Sequence, residues 1–146
     1  MKQALFCSNC DTRLTHWLAP IATLPDMLSQ CDFDSNGGDK KYQLPLVPAG
    51  HALIMRTAQM RYELFERALY AQMPEADSYI NPNDLLDPIL WTEKVFRLSG
   101  CCGVSGIDGP TNICKCRKEI GTTQADCWTW LVFVPQSSNT YWKNND

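Results

Sequence analysis

The sequence predicts an α+β fold for a single domain spanning residues 1–146, on three observations. Cysteines gather at the two ends: Cys7 and Cys10 stand near the start, and Cys101, Cys102, Cys114, Cys116 and Cys127 crowd residues 100–130. Between them, Met55, Ala58, Tyr62, Phe65, Leu69 and Met73 recur at intervals of three and four, the period of one helical face. Late in the chain, Cys127-Trp-Thr-Trp-Leu-Val-Phe-Val134 is its strongest run of β-forming residues, closed by Pro135. With 146 residues, 45 % hydrophobic and 20 % charged, the chain can bury its own core and does not have a disordered composition.

The elements follow in order. Pro20 and Pro25 discourage long regular structure over residues 5–31, so Leu14, Trp17, Leu18, Ile21 and Leu24 are expected to pack from short strands or loops. Residues 32–41 (DFDSNGGDKK) read as a solvated turn. The spacing of Asp32, Asp34 and Asn36 is that of a calcium loop, but the closing bidentate Glu is missing. Residues 42–50 are extended, with two prolines favouring an edge. A long helix is predicted over residues 55–73, its apolar stripe turned to the core, with Glu63 and Arg67 paired and Pro74 as its stop. A short helix starts at Asn81-Pro82-Asn83-Asp84, where Asn81 caps, Pro82 takes the first position and Asp84 faces the positive end. Pro88 limits it unless helix restarts around residues 91–96. Gly100, Gly103, Gly106 and Gly109 then fall every third residue, which forbids a helix. No Lys-Ser/Thr follows, so this is a tight turn, expected to wrap a metal, and not a phosphate loop. The tail SSNTYWKNND is polar and expected to fray, save for docking of Tyr141 and Trp142.

The first residues hold one Lys and an apolar run too short for a signal peptide, and no window approaches the ~18 apolar residues of a membrane helix. A cytoplasmic location follows as the expectation, and in a reducing compartment cysteines serve as metal ligands before they form disulfides. Zinc takes thiolates in a tetrahedron, typically two from each of two tight turns. Cys7-Ser-Asn-Cys10 is one such half; Cys114-Lys-Cys116 is the other, one residue shorter than the usual spacing. Each second cysteine is followed four places on by an apolar residue, Leu14 and Ile120, with a Thr nearby. The predicted Zn2+ ligands are therefore Cys7, Cys10, Cys114 and Cys116, with Cys101, Cys102 and Cys127 as alternates for the fourth place or for a second site. His16 is a further candidate by proximity. Only six residues precede Cys7, too few for the strand that a thioredoxin-like C-x-x-C requires. Cys31 has no ligand-like neighbour and reads as a buried apolar residue.

The run GCCG-x-x-G-x-DGP-x-N-x-C-x-C, with E-x-GT and DCW downstream, resembles a family of small uncharacterised bacterial Cys-rich proteins. They carry an N-terminal C-x-x-C and an Asn-Pro-x-Asp-Leu-Leu segment, here residues 81–86. The likeness covers both ends and the helix start but not residues 56–77, and a Gly commonly follows the second knuckle cysteine where this chain has Arg117. It implies a zinc-ribbon-like architecture and no mechanism. The predicted fold is thus a small zinc-ribbon-like β portion joining the chain ends, packed against one long and one short helix.

Functional classes are ranked by residue chemistry. Neither H-E-x-x-H nor H-x-E with P-C-x-x-C occurs, and a nucleophilic cysteine would have only His16 and His51 to draw on, so an enzyme ranks last. The net charge of −3 argues against a general grip on nucleic acid. A nucleic-acid-binding zinc ribbon using Lys115, Arg117 and Lys118 for phosphates and Trp128 and Trp130 for stacking is the alternative. First comes a non-catalytic, zinc-stabilised protein-binding module, most concretely a bacterial immunity or antitoxin protein neutralising a toxin. Asp32, Asp34, Asp39, Glu63 and Glu66, with Glu75 and Asp77, are the residues that would steer a basic partner.

Overall fold

A computed structural model describes residues 1–21, 45–67, 76–87, 89–101, 103–126 and 130–145, with the backbone alone for 65–67. The predicted turn at residues 32–41, the helical stretch 68–73, Cys31, Cys102, Cys127 and Trp128 lie outside these residues. The described strands are β1 Gln3–Cys7, β2 Ala19–Ile21, β3 His51–Ile54, β4 Ser78–Ile80, β5 Leu90–Trp91, β6 Asn112–Ile113, β7 Glu119–Gln124, β8 Val132–Pro135 and β9 Thr140–Asn144. One α-helix, α1 Ala58–Arg67, is described among them, with one-turn 3-10 helices at Pro82–Asp84 and Val95–Leu98. Seven strands form a sheet in the order β2-β3-β4-β8-β7-β6-β5, antiparallel except for β2 beside β3; β1 and β9 form a separate antiparallel pair.

This corrects the expected fold class. The molecule is mostly β, two sheets with a single described α-helix, and not a β ribbon packed against two helices. The reason lies in residues 51–57. His51–Ile54, just before the expected start of the helix, is a strand pairing with both β2 and β4, and the helix begins only at Ala58. Thr57 then caps α1, its hydroxyl accepting from the Met60 amide at 3.1 Å. The helical face also differs. Leu64 is 1 % exposed and Met60 packs beside it, four residues apart, whereas Tyr62 from the predicted stripe is 59 % exposed.

The central strands of the seven-stranded sheet are buried on both faces, and alternation along them sorts the core in two. Leu53, Tyr79, Val132 and Val134 point to one cluster with Met55, Leu64 and Trp130. Ala52, Ile80 and Phe133 point to the other with Leu5, Leu14, Leu18, Ile120, Cys7 and Cys114. Helix α1 thus covers one face, and the β1–β9 pair with the cysteines covers the other.

Asn81 caps its 3-10 turn as the sequence predicts: its side chain accepts from the Asn83 amide at 2.9 Å, with Pro82 at the first position. Asp84 is buried at 6 % exposure and accepts from the Gly50 amide at 2.8 Å, fastening this turn to the loop before β3. The tail does not fray. β9 pairs with β1 over five residues, from Gln3 with Asn144 to Cys7 with Thr140. The glycine loop also departs from expectation, for it folds against the end of β7 and not around the cysteine cluster. Ala125 donates to the Val104 carbonyl at 2.8 Å, and a Cβ on Gly103 would lie 2.4 Å from the Ala125 carbonyl oxygen.

Candidate metal centre

Two turns present the cysteines. After β1, the Asp11 amide returns to the Cys7 carbonyl at 2.8 Å and the Cys7 amide donates to Thr12 at 2.9 Å. After β6, the Arg117 amide returns to the Cys114 carbonyl at 2.8 Å and the Cys114 amide donates to Lys118 at 2.8 Å. The second turn closes one residue sooner, which is how Cys-x-Cys serves where the first turn uses Cys-x-x-Cys. Both turns reverse through a left-handed residue directly after their second cysteine: Asp11 at φ 58° and Arg117 at φ 76°. Leu14 and Ile120, the matching apolar residues, are fully buried in one cluster and anchor the two turns side by side.

The four sulfurs of Cys7, Cys10, Cys114 and Cys116 lie within 4.8 Å of one another. Cys7 Sγ is 3.6 Å from Cys116 Sγ, and Cys10 Sγ is 3.5 Å from Cys114 Sγ. A tetrahedron with metal–sulfur bonds of about 2.3 Å has edges of about 3.8 Å, so the spacing suits one ion at the centre. All four are free thiols at separations far beyond a disulfide bond. Each close pair joins one turn to the other, and each combines a fully buried sulfur with a half-buried one.

Within each close pair the two thiols differ electrostatically. Burial pushes the Cys114 thiol up to about 12 and raises Cys7 as well. Hydrogen bonding from Thr12, whose hydroxyl lies 3.1 Å from the sulfur, lowers Cys10 to about 6. A hydrogen bond from the Asn9 side chain lowers Cys116. Thr12 and Asn9 are supporting residues that sequence reasoning passed over; the signal was their place inside and just after the first knuckle.

Other candidates lie elsewhere. Cys101 is exposed, its amide bonded to Asp126 at 3.2 Å, and it stands apart from the four-sulfur cluster; the alternates Cys102 and Cys127 fall outside the described residues. His16 is exposed with its amide on the Asp84 carbonyl, and His51 Nδ1 lies 3.1 Å from the Ala49 carbonyl; neither belongs to the cluster. Of the acidic residues expected to steer a partner, Glu63 is exposed on α1 and bonded by Gln59 at 3.1 Å. Asp32, Asp34 and Asp39, and the side chain of Glu66, are not among those described. Trp130, expected to stack bases, is 1 % exposed. No helix among the described residues is long and apolar enough to cross a membrane. No protein-family model, no curated protein and no solved structure matches this chain, so the reading of its function rests on the geometry of the four sulfurs and the surfaces around them.

Proposed function

We propose that the protein is a non-catalytic binding module whose β1–β9 pair is held to the sheet by a structural Zn2+ on Cys7, Cys10, Cys114 and Cys116. The observation that carries this is the closed set of four sulfurs within 4.8 Å, drawn from both ends of the chain. Four thiolates fill a tetrahedral ion completely, whereas a catalytic zinc keeps a place open for water or substrate. Soft thiolates select zinc over magnesium or calcium, which take oxygen ligands.

The most concrete form of such a module is an immunity or antitoxin protein that neutralises a basic toxin. Glu63 and its neighbour Tyr62 on the outer side of α1 offer an exposed starting point for that contact. The nucleic-acid alternative has less to stand on, because Trp130 has no face free for a base and Arg117 is paired with Glu93. Metal analysis of protein purified without added metal tests the first half, and one zinc per chain is the expected result. Co-expression with the product of the adjacent reading frame tests the second. Growth rescue that fails when Glu63 is changed to Lys supports the role, and absence of rescue removes it.

A further inference from the structure

Beyond that reading, the far edge of the large sheet has a design of its own. β5 is the last strand in the order, with β6 as its neighbour among the described residues. Its register sets Leu90 opposite Ile113 and Trp91 opposite Asn112, and the Thr92 amide donates to the Thr111 carbonyl at 2.8 Å. In an antiparallel ladder the inward and outward backbone groups alternate. Thr92 faces β6, so the N–H and C=O of Trp91 are turned to the open edge.

The side chains along this margin are apolar and uncovered. Leu90 is 48 % exposed, Trp91 52 %, Val95 74 %, Phe96 64 % and Ile107 68 %. Arg97 ties the segment together: it donates to the Pro110 carbonyl at 3.2 Å, and Gly109 sits against its guanidinium, which brings the Ile107 loop beside the Val95–Leu98 turn. Leu90 and Trp91 alternate to the two faces of the sheet, so these side chains flank the open edge from both sides and together leave on the order of 600 Å² exposed. Two such surfaces together reach roughly 1,200 Å², the lower bound for a specific protein interface. Two of the flanking cations are paired within the chain, Arg117 with Glu93 and Arg97 with Glu119, and the exposed Lys94 and Asp108 beside the apolar side chains are of opposite sign.

We propose that β5 is a homodimerisation edge, where a second copy of this chain adds its own β5 antiparallel across a two-fold axis at Trp91. Each Trp91 N–H donates to the C=O of Trp91 in the other copy, and the exposed apolar side chains cover one another. An antiparallel edge is self-complementary under a two-fold, so one surface serves both partners. The assembly joins the two large sheets through their edges.

Sedimentation velocity on the zinc-loaded protein from about 1 µM to about 500 µM tests the proposal. The expected result is a shift to twice the monomer mass as concentration rises, with the Trp91 amide gaining protection from hydrogen exchange in step. Phe96→Glu places a charge in the patch and is expected to weaken association at least about tenfold. Trp91→Pro removes the outward N–H, which an edge strand tolerates, and is expected to abolish the dimer. Circular dichroism and zinc content must match the parent in both variants; Tyr62→Glu, on the exposed side of α1, is the control that keeps the dimer. A monomer at every concentration overturns the proposal. So does a dimer whose Trp91 amide stays unprotected, or one that well-folded Phe96→Glu leaves intact. None of these outcomes bears on the zinc count, so the two readings fail independently.

Discussion

At the scale of single residues, Asp11 and Arg117 shape the metal centre as much as the cysteines do. Each takes a left-handed conformation at the point where its turn doubles back. Asp tolerates this better than most residues; Arg does not, and pays about 1 kcal/mol relative to Gly. The ion pair with Glu93 is too exposed to offset that strain. Arg117→Gly is therefore expected to be more stable than Arg117→Ala by about 1 kcal/mol in urea melts, since both lose the ion pair and only Gly relieves the backbone. Removing a ligand acts in the other direction. Cys7→Ser or Cys114→Ser, each at a buried position, is expected to lose the zinc and at least about 3 kcal/mol, roughly 6–12 °C in melting midpoint. In the metal-free chain the thiols set the pH dependence. Cys10 titrates at about 6 against an ordinary 9.0, so the stability it contributes is complete above pH 9 and is lost as pH falls through 6. Cys114, raised to about 12, contributes below pH 9 and loses its contribution as pH rises through 12. Melts in chelator are expected to peak near pH 9, and iodoacetamide at pH 7 to label Cys10 first and Cys114 last. The two cysteine pairs were legible in the sequence because ligand spacing is a local signal. The left-handed turn at Arg117 was visible only as the place where a Gly would be expected, and Thr12 gave no signal beyond its closeness to Cys10.

At the scale of elements, β7 and β8 hold the sheet at its centre. They pair over four positions, from Gly121 with Pro135 to Gln124 with Val132. Gly121 is required there: a Cβ would lie 2.2 Å from the Phe133 ring and 2.7 Å from the Val134 carbonyl oxygen. Because Phe133 is fully buried, it cannot swing away. Gly121→Ala is expected to cost about 2–3 kcal/mol, read as a lower denaturation midpoint with unchanged zinc content. The run over residues 127–134 announced itself through β-branched and aromatic residues, but β8 covers Val132–Pro135, with Trp130 outside it and Pro135, the expected stop, paired with Gly121. Asn81-Pro82 was legible through capping chemistry. The helix was legible in its period, but its start and its buried face were not: Met55 lies between β3 and α1, and Tyr62 from the expected stripe is exposed. β9 was harder still. Its residues Thr140–Asn144 are half-exposed and polar, and such a strand forms only because β1 offers a five-residue partner from the other end of the chain. No local pattern contains that pairing.

At the scale of the whole molecule, the fold is a sheet with a helix on one face and the joined chain ends on the other. The metal centre and the β1–β9 pair are two fastenings of one junction: Cys7 ends β1, and its ladder partner Thr140 begins β9. Removing residues 139–146 is therefore expected to loosen the first knuckle. The truncated chain should release zinc to a chelator at least about tenfold faster than the full chain, measured with a chromogenic dye. The sequence pointed to a union of the ends through sulfur, but the large sheet between them is built from strands of two to six residues, too short to stand out by alternation. That separation also bears on biosynthesis. Cys10 and Cys114 touch across 104 positions of sequence. At about 5–20 residues per second, a ribosome leaves the first pair of sulfurs without their counterparts for roughly 5–20 s in every round of translation. During that interval Cys7 and Cys10 stand as naked thiols, until the later half of the clasp emerges.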